Sequence, residues 1–208
     1  MTTRLATTFL RLALRRAARG TGSMPSFLER RTAVQAVPDL RYILGVVPWV
    51  LVGGLALRAY MPERMTLDVD ILVHERNSAR ARKLFAAAGY RLTGSLSIGG
   101  FSVQSADSNE PPIDVLTRSD LWLDAAIASP ASDPAGYPVL SRPFLMLLKL
   151  QAGPTQDLAD IQRLLARTPT SERVVIRQLV ADENPELVED FDSLCTLADL
   201  EFGVPQAE

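Results

Sequence analysis

Residues 49–72 constrain this chain more than any other stretch. An apolar run, Trp49 to Val52, ends in a glycine pair, Gly53 and Gly54. A short helical stretch follows and Pro62 breaks it. A second apolar run then carries Asp68 and Asp70 two residues apart. A third carboxylate, Asp114, interrupts another apolar segment, Ile113-Asp114-Val115-Leu116. Side chains at i and i+2 of a strand point the same way. Asp68 and Asp70 therefore share one face, while Val69 and Ile71 enter a core on the other.

Parallel carboxylates in an apolar strand repel each other and lose hydration. A divalent cation relieves both costs. Mg2+, or Mn2+ in its place, suits a site offering one or two carboxylates beside water and substrate phosphates. Asp114, on a neighbouring strand, is expected to point into the same site. Three carboxylates can hold two metals, one activating an attacking hydroxyl and one steadying a departing pyrophosphate. Gly53 and Gly54 follow a strand and open a helical turn, where missing Cβ atoms let phosphate approach the backbone. No G-x-x-x-x-G-K-[ST] loop is present. Each signal alone has an ordinary reading: surface acids for D-x-D, a plain turn for Gly-Gly. Their joint appearance favours chemistry.

The 208 residues suit one ordinary domain, or a small core with an appended helical part. Hydrophobic residues make up 47%, enough for a real core. A net charge of -2 gives no general signal for nucleic acid. One His, His74, argues against a zinc centre or a serine-type triad. One Cys, Cys195, excludes an internal disulfide, fits a reducing cytoplasm and reads as a packed thiol. No apolar stretch reaches the roughly 18 residues of a membrane span, so no membrane partner is expected. Charge is uneven along the chain. Residues 1–31 hold seven Arg and one acid, whereas residues 181–208 hold nine acids and no Lys or Arg.

The pattern predicts an α+β protein. Residues 1–23 read as an Arg-rich extension, with Arg4, Arg11, Arg15 and Arg19 on one helical face. It reads as a frayed terminal segment, a transit-type leader or an arm touching RNA. Residues 24–130 read as a small mixed sheet with flanking helices. Helices are expected at 27–44 and 77–88, the latter with a basic outer face (Arg80, Arg82, Lys83). Strands are expected at 49–52, 67–73 and 113–116. A hairpin over 91–105 turns at Gly99–Gly100. Ser129 to Gly136 reads as a linker into a helical region, residues 137–208, punctuated by Pro154, Pro169 and Pro185.

The run h-G-G-L-A-L-R…R-x-T-x-D-x-D-h-h-V resembles the nucleotidyltransferase superfamily that includes DNA polymerase beta. More narrowly, it is similar to AbiEii-type nucleotidyltransferases of bacterial toxin–antitoxin and phage-defence systems. The residues carrying the resemblance are Gly53, Gly54, Ala56, Leu57, Arg64, Thr66, Asp68 and Asp70, then Asp114. A later K-L-x-A and D-x-x-D-h match Lys149 to Ala152 and Asp157 to Ile161. Gly153 to Gln156 lacks the basic residues that usually precede the second of these. The resemblance implies that Asp68 and Asp70 bind magnesium and that Asp114 helps activate the acceptor hydroxyl. It implies that Gly53 and Gly54 hold the triphosphate, supported by Arg64 and Thr66, and that Lys149 neutralises phosphate charge.

On that basis the expected activity moves NMP from an NTP, such as ATP, onto an acceptor. RNA, in particular tRNA, is the favoured acceptor, with a protein or a small molecule such as an aminoglycoside as alternatives. A cognate toxin or antitoxin is a further expected partner. The rival class is a non-catalytic toxin–antitoxin component, or a scaffold whose D-x-D is structural. Asp157 and Asp160 have a second reading, as acids favoured by a helix's first turn.

Overall fold

The computed structural model describes residues 38–62, 66, 68–106, 110–153 and 155–204, with isolated positions 11 and 14. Arg64, most of the Arg-rich extension and most of the helix expected at 27–44 lie outside the described residues. The chain divides into two compact units, one spanning Arg31–Ser141 and the other including Arg142–Glu208.

In the first unit, helix α1 (Leu40–Leu44) is capped by the Asp39 carboxylate, which accepts from the Tyr42 N–H. Strand β1 (Trp49–Leu51) leads through Gly53 and Gly54 into a 3-10 turn, Leu55–Ala59. Strand β2 (Val69–His74) and helix α2 (Ser78–Ala87) follow, then β3 (Arg91–Ser95), β4 (Gly100–Gln104) and β5 (Ile113–Arg118). A short helix α3 (Leu123–Ala128) precedes two-residue strands β6 (Ala131–Ser132) and β7 (Pro138–Val139). Among the described residues, seven strands form one mixed sheet in the order β3-β4-β5-β2-β1-β7-β6. β2 runs parallel to β5, and β1 parallel to β7; the other pairs are antiparallel.

The segment expected to be a linker, Ser129 to Gly136, therefore holds part of a hairpin whose second strand joins the sheet. Asp133 closes that hairpin: its carboxylate accepts the Tyr137 N–H at 2.6 Å and pairs with Arg58. The basic face expected on α2 is also divided. Arg80 and Lys83 are exposed, but the Arg82 guanidinium lies 4.0 Å from the Phe101 ring centre.

Alternation around the acids in the two central strands follows the sequence, although Leu72, on the Asp70 face of β2, is fully buried too. Val69, Ile71 and Val73 are fully buried in β2, and Ile113 and Val115 in β5. Each such side chain contributes about 1.5–3 kcal/mol. Asp70 and Asp114, one step off, are half-buried. Phe85 of α2 meets Phe101 of β4 edge-on, with ring centres 6.5 Å apart, and this seats the helix on the sheet. Gly100, at φ +115°, sits so close to β5 that a Cβ would lie 2.0 Å from the Val115 carbonyl oxygen.

The second unit consists of α4 (Arg142–Ala152), α5 (Thr155–Leu165), α6 (Thr170–Glu183) and α7 (Val188–Phe202), the last entered through a 3-10 turn, Pro185–Leu187. Among the described residues no helix is long and apolar enough to cross a membrane. Helix ends leave unsatisfied carbonyls. Here the buried Arg173 guanidinium donates to the Leu165 carbonyl at 2.7 Å and the Thr168 carbonyl at 3.2 Å, closing α5. It also pairs with Asp199 of α7 at 2.8 Å. Arg173→Met is expected to lower the unfolding free energy by about 3 kcal/mol, because it orphans buried carbonyls and breaks a part-buried ion pair. Urea titration measures this, and a loss below about 1 kcal/mol would contradict the capping role.

Burial pushes the Cys195 thiol up to about 11, against the opposing pull of Arg173. A folded-state value above the unfolded value of about 8.5 leaves stability intact below that pH. Stability is then lost as pH rises toward 11. Alkylation of Cys195 by iodoacetamide is accordingly expected to stay slow at neutral pH and to accelerate only above about pH 10. Rapid labelling at pH 7.5 would show that the thiol is not held in its protonated form.

Candidate active site

The site forms where β2 and β5 run side by side. Their parallel register pairs Asp70 with Asp114, and Asp68 enters one step before β2 begins. One carboxylate oxygen from each of Asp68, Asp70 and Asp114 falls within 4.8 Å of the others, and all three side chains are half-buried. Hard oxygen donors at this spacing, backed by apolar strands, fit a divalent cation of the Mg2+ or Mn2+ type.

Two hydroxyls steady the outer acids. The Thr66 hydroxyl donates to Asp68 Oδ1 at 2.6 Å. The Ser102 hydroxyl, on β4, donates to Asp114 Oδ1 at 2.6 Å. Nothing in the sequence pattern marks Ser102. It occupies an unremarked position in a hairpin, and only the register opposing it to Asp114 brings it to the site.

Gly53 has a steric reason to be glycine. At φ +63°, a Cβ there would lie 1.8 Å from Asp70 Oδ2. The backbone of the glycine turn is thus pressed against the Asp70 carboxylate, and Val52 N–H bonds the Asp70 carbonyl at 3.0 Å. Gly54 is buried, has helical backbone angles and begins the 3-10 turn. The helical stretch expected there is thus a 3-10 turn, and the Ala56 N–H is bonded to the Val52 carbonyl.

Lys149 belongs to the helical unit. The residue is 3% exposed, and its ammonium donates to Asp157 at 2.7 Å and to Asp160 at 2.9 Å. Asp160 is fully buried, and it also accepts from Gln156 at 3.4 Å. Asp160 is therefore a charged partner inside the helical core, which first-turn dipole preference alone does not explain.

No protein-family profile matches this chain, and no curated protein does. Among solved structures it is similar to the solution structure of the antibiotic-resistance factor ANT(2'')-Ia, at 15% identity over 70% of this chain and 88% of that one, with a TM-score of 0.49. It is also similar to the lincosamide antibiotic adenylyltransferase LnuA with lincomycin bound, at 16% identity over 65% of this chain and 100% of that one, TM-score 0.46. The Megavirus polyadenylate synthase is more distant, at 10% identity over 81% of this chain and 35% of that one, TM-score 0.31. These scores are low, and the functional reading rests on the site's own residues.

Gly53→Ala tests the close approach. The positive φ alone costs an L-residue about 1–2 kcal/mol, as at Gly89, where φ is +88° and the space for a Cβ is open. Gly53→Ala is expected to destabilise the fold more than Gly89→Ala, because Asp70 must also move. Equal losses in paired urea titrations would remove the steric argument.

Proposed function

We propose that this chain is a divalent-metal-dependent nucleotidyltransferase that moves NMP from an NTP onto an acceptor hydroxyl, with RNA, and tRNA foremost, as the acceptor. The observation that carries the reading is the convergence of Asp68, Asp70 and Asp114 within 4.8 Å on two apolar strands. Three carboxylates so placed are hard to account for by folding alone, since they repel one another and lose water.

Asp68 and Asp70 would hold Mg2+ or Mn2+, with Asp114 as the third carboxylate of the set. Once bound, the ion supplies positive charge where phosphate charge builds up. The chain's own contribution is positioning and electrostatics. Asp114 orients and accepts the proton of the acceptor hydroxyl. The Gly53 backbone lies against the Asp70 carboxylate, and the Gly53–Gly54 pair offers the triphosphate a surface without side chains. Thr66 keeps Asp68 turned into the site. Arg64 and Lys149 are assigned to phosphate charge by sequence resemblance. For Lys149 that role requires release from Asp157 and Asp160, its partners here.

The RNA acceptor is supported by the exposed cations Arg80 and Lys83 on α2 and Arg91 at the start of β3, and by the Arg-rich composition of residues 1–31 in the sequence. A toxin–antitoxin setting, with a cognate protein partner, rests on the sequence resemblance alone.

The test is a transfer assay with Mg2+, each of four α-labelled NTPs and total tRNA, run beside an Asp68→Ala/Asp70→Ala control. Label on RNA that disappears in the control is the expected result. Label on protein would replace RNA with a protein acceptor. No label on either, with the fold intact, would remove the RNA reading. Thermal denaturation supplies a second readout. Mg2+ is expected to raise the melting temperature of the wild type and to leave Asp70→Asn unmoved. Equal shifts in both would make the D-x-D structural.

A further inference from the structure

Ser102, Asp114 and Asp70 form a lateral row across three strands. The register pairs Ser102 with Asp114 between β4 and β5, and Asp114 with Asp70 between β5 and β2. On the far side of Asp70 the row ends against Gly53, which leaves no room for a side chain. On the far side of Ser102 it ends at Gly94 of β3, the residue paired with Ser102, where a register shift interrupts the strand. Asp114 therefore has one neighbour that repels it and one that can donate to it. The donor is the Ser102 hydroxyl, 2.6 Å from Oδ1.

From this row we infer that Ser102 is a positioning residue for the proposed metal site, holding Asp114 in the rotamer that faces Asp68 and Asp70. The inference rests on the nucleotidyltransferase reading and deepens it. Asp70 is confined sterically by Gly53, and Asp68 is held by Thr66 at 2.6 Å. Among the described residues, the Ser102 hydroxyl bond is the hydrogen bond that fixes the Asp114 side chain. Without it, repulsion from Asp70 turns Asp114 away, and a cation must restore the alignment at the expense of its own affinity. Groups that orient a ligand in this way are typically worth about 10- to 100-fold in metal affinity.

The experiment is Mn2+ binding to the full chain without nucleotide, by calorimetry and electron paramagnetic resonance, for wild type, Ser102→Ala, Ser102→Thr and Asp70→Asn. Ser102→Ala is expected to weaken Mn2+ binding about 10-fold or more, with an unchanged metal-free melting temperature. Ser102→Thr keeps the hydroxyl and is expected to bind within a few-fold of wild type. In transfer assays the loss in Ser102→Ala should appear as a higher Mn2+ requirement, recovered at saturating metal. Wild-type affinity in Ser102→Ala would overturn the inference while leaving the metal site standing. So would equal weakening in Ser102→Thr. Absence of Mn2+ binding in the wild type, with Asp70→Asn indistinguishable from it, would overturn both the inference and the metal reading beneath it.

Discussion

Parallel pairing of β2 with β5 sets Asp70 directly beside Asp114 in the middle of a sheet, and the neighbourhood is arranged around that juxtaposition. Like charges on adjacent strands oppose the pairing that joins them. The strands hold because the residues between the acids are Val69, Ile71, Ile113 and Val115, all fully buried. The apolar face secures the register, and the register forces the carboxylates together on the other face. Gly53 and Ser102 then occupy the two flanks, one by lacking a side chain and one by supplying a proton donor.

The helical unit handles charge differently. Lys149, Asp160 and Arg173 are buried, and each meets partners at hydrogen-bond distance. A buried pair of this kind adds little net stability, but losing one member leaves a stranded charge or carbonyl. These residues are therefore constrained by folding whatever else they do. A variant of Lys149 that loses activity must be shown to be folded before the loss is assigned to chemistry. Asp68, Asp70 and Asp114 present the opposite case, because their mutual repulsion means that neutralising one relieves strain on the others.

Much of the site was legible in the sequence because strand periodicity is two. That rule alone placed Asp68 and Asp70 on one face and Val69 and Ile71 on the other, and the short apolar segment around Asp114 marked its partner strand. Ser102 was illegible, since its neighbour depends on hairpin register, and the shift between Leu92 and Gly94 breaks any simple count. β6 and β7 were missed for another reason: two residues each give no periodic signal, so Ser129 to Gly136 read as a linker. The basic face of α2 was read from charge alone, which cannot reveal that Arg82 spends its guanidinium on the Phe101 ring.

The β1–β7 contact carries a kinetic consequence. β1 lies between β2 and β7, and its link to β7 joins Leu51 to Val139, 88 positions apart along the chain (139 minus 51). Pairings of such separation close late, because the loop entropy is lost before the contact is gained. During synthesis the carboxylate strands emerge first and wait with one flank of β1 open until residue 139 has left the ribosome. The sheet is finished by its two shortest strands, so β6 and β7, far from being trimmings, act as the latch that ends the exposed interval of β1.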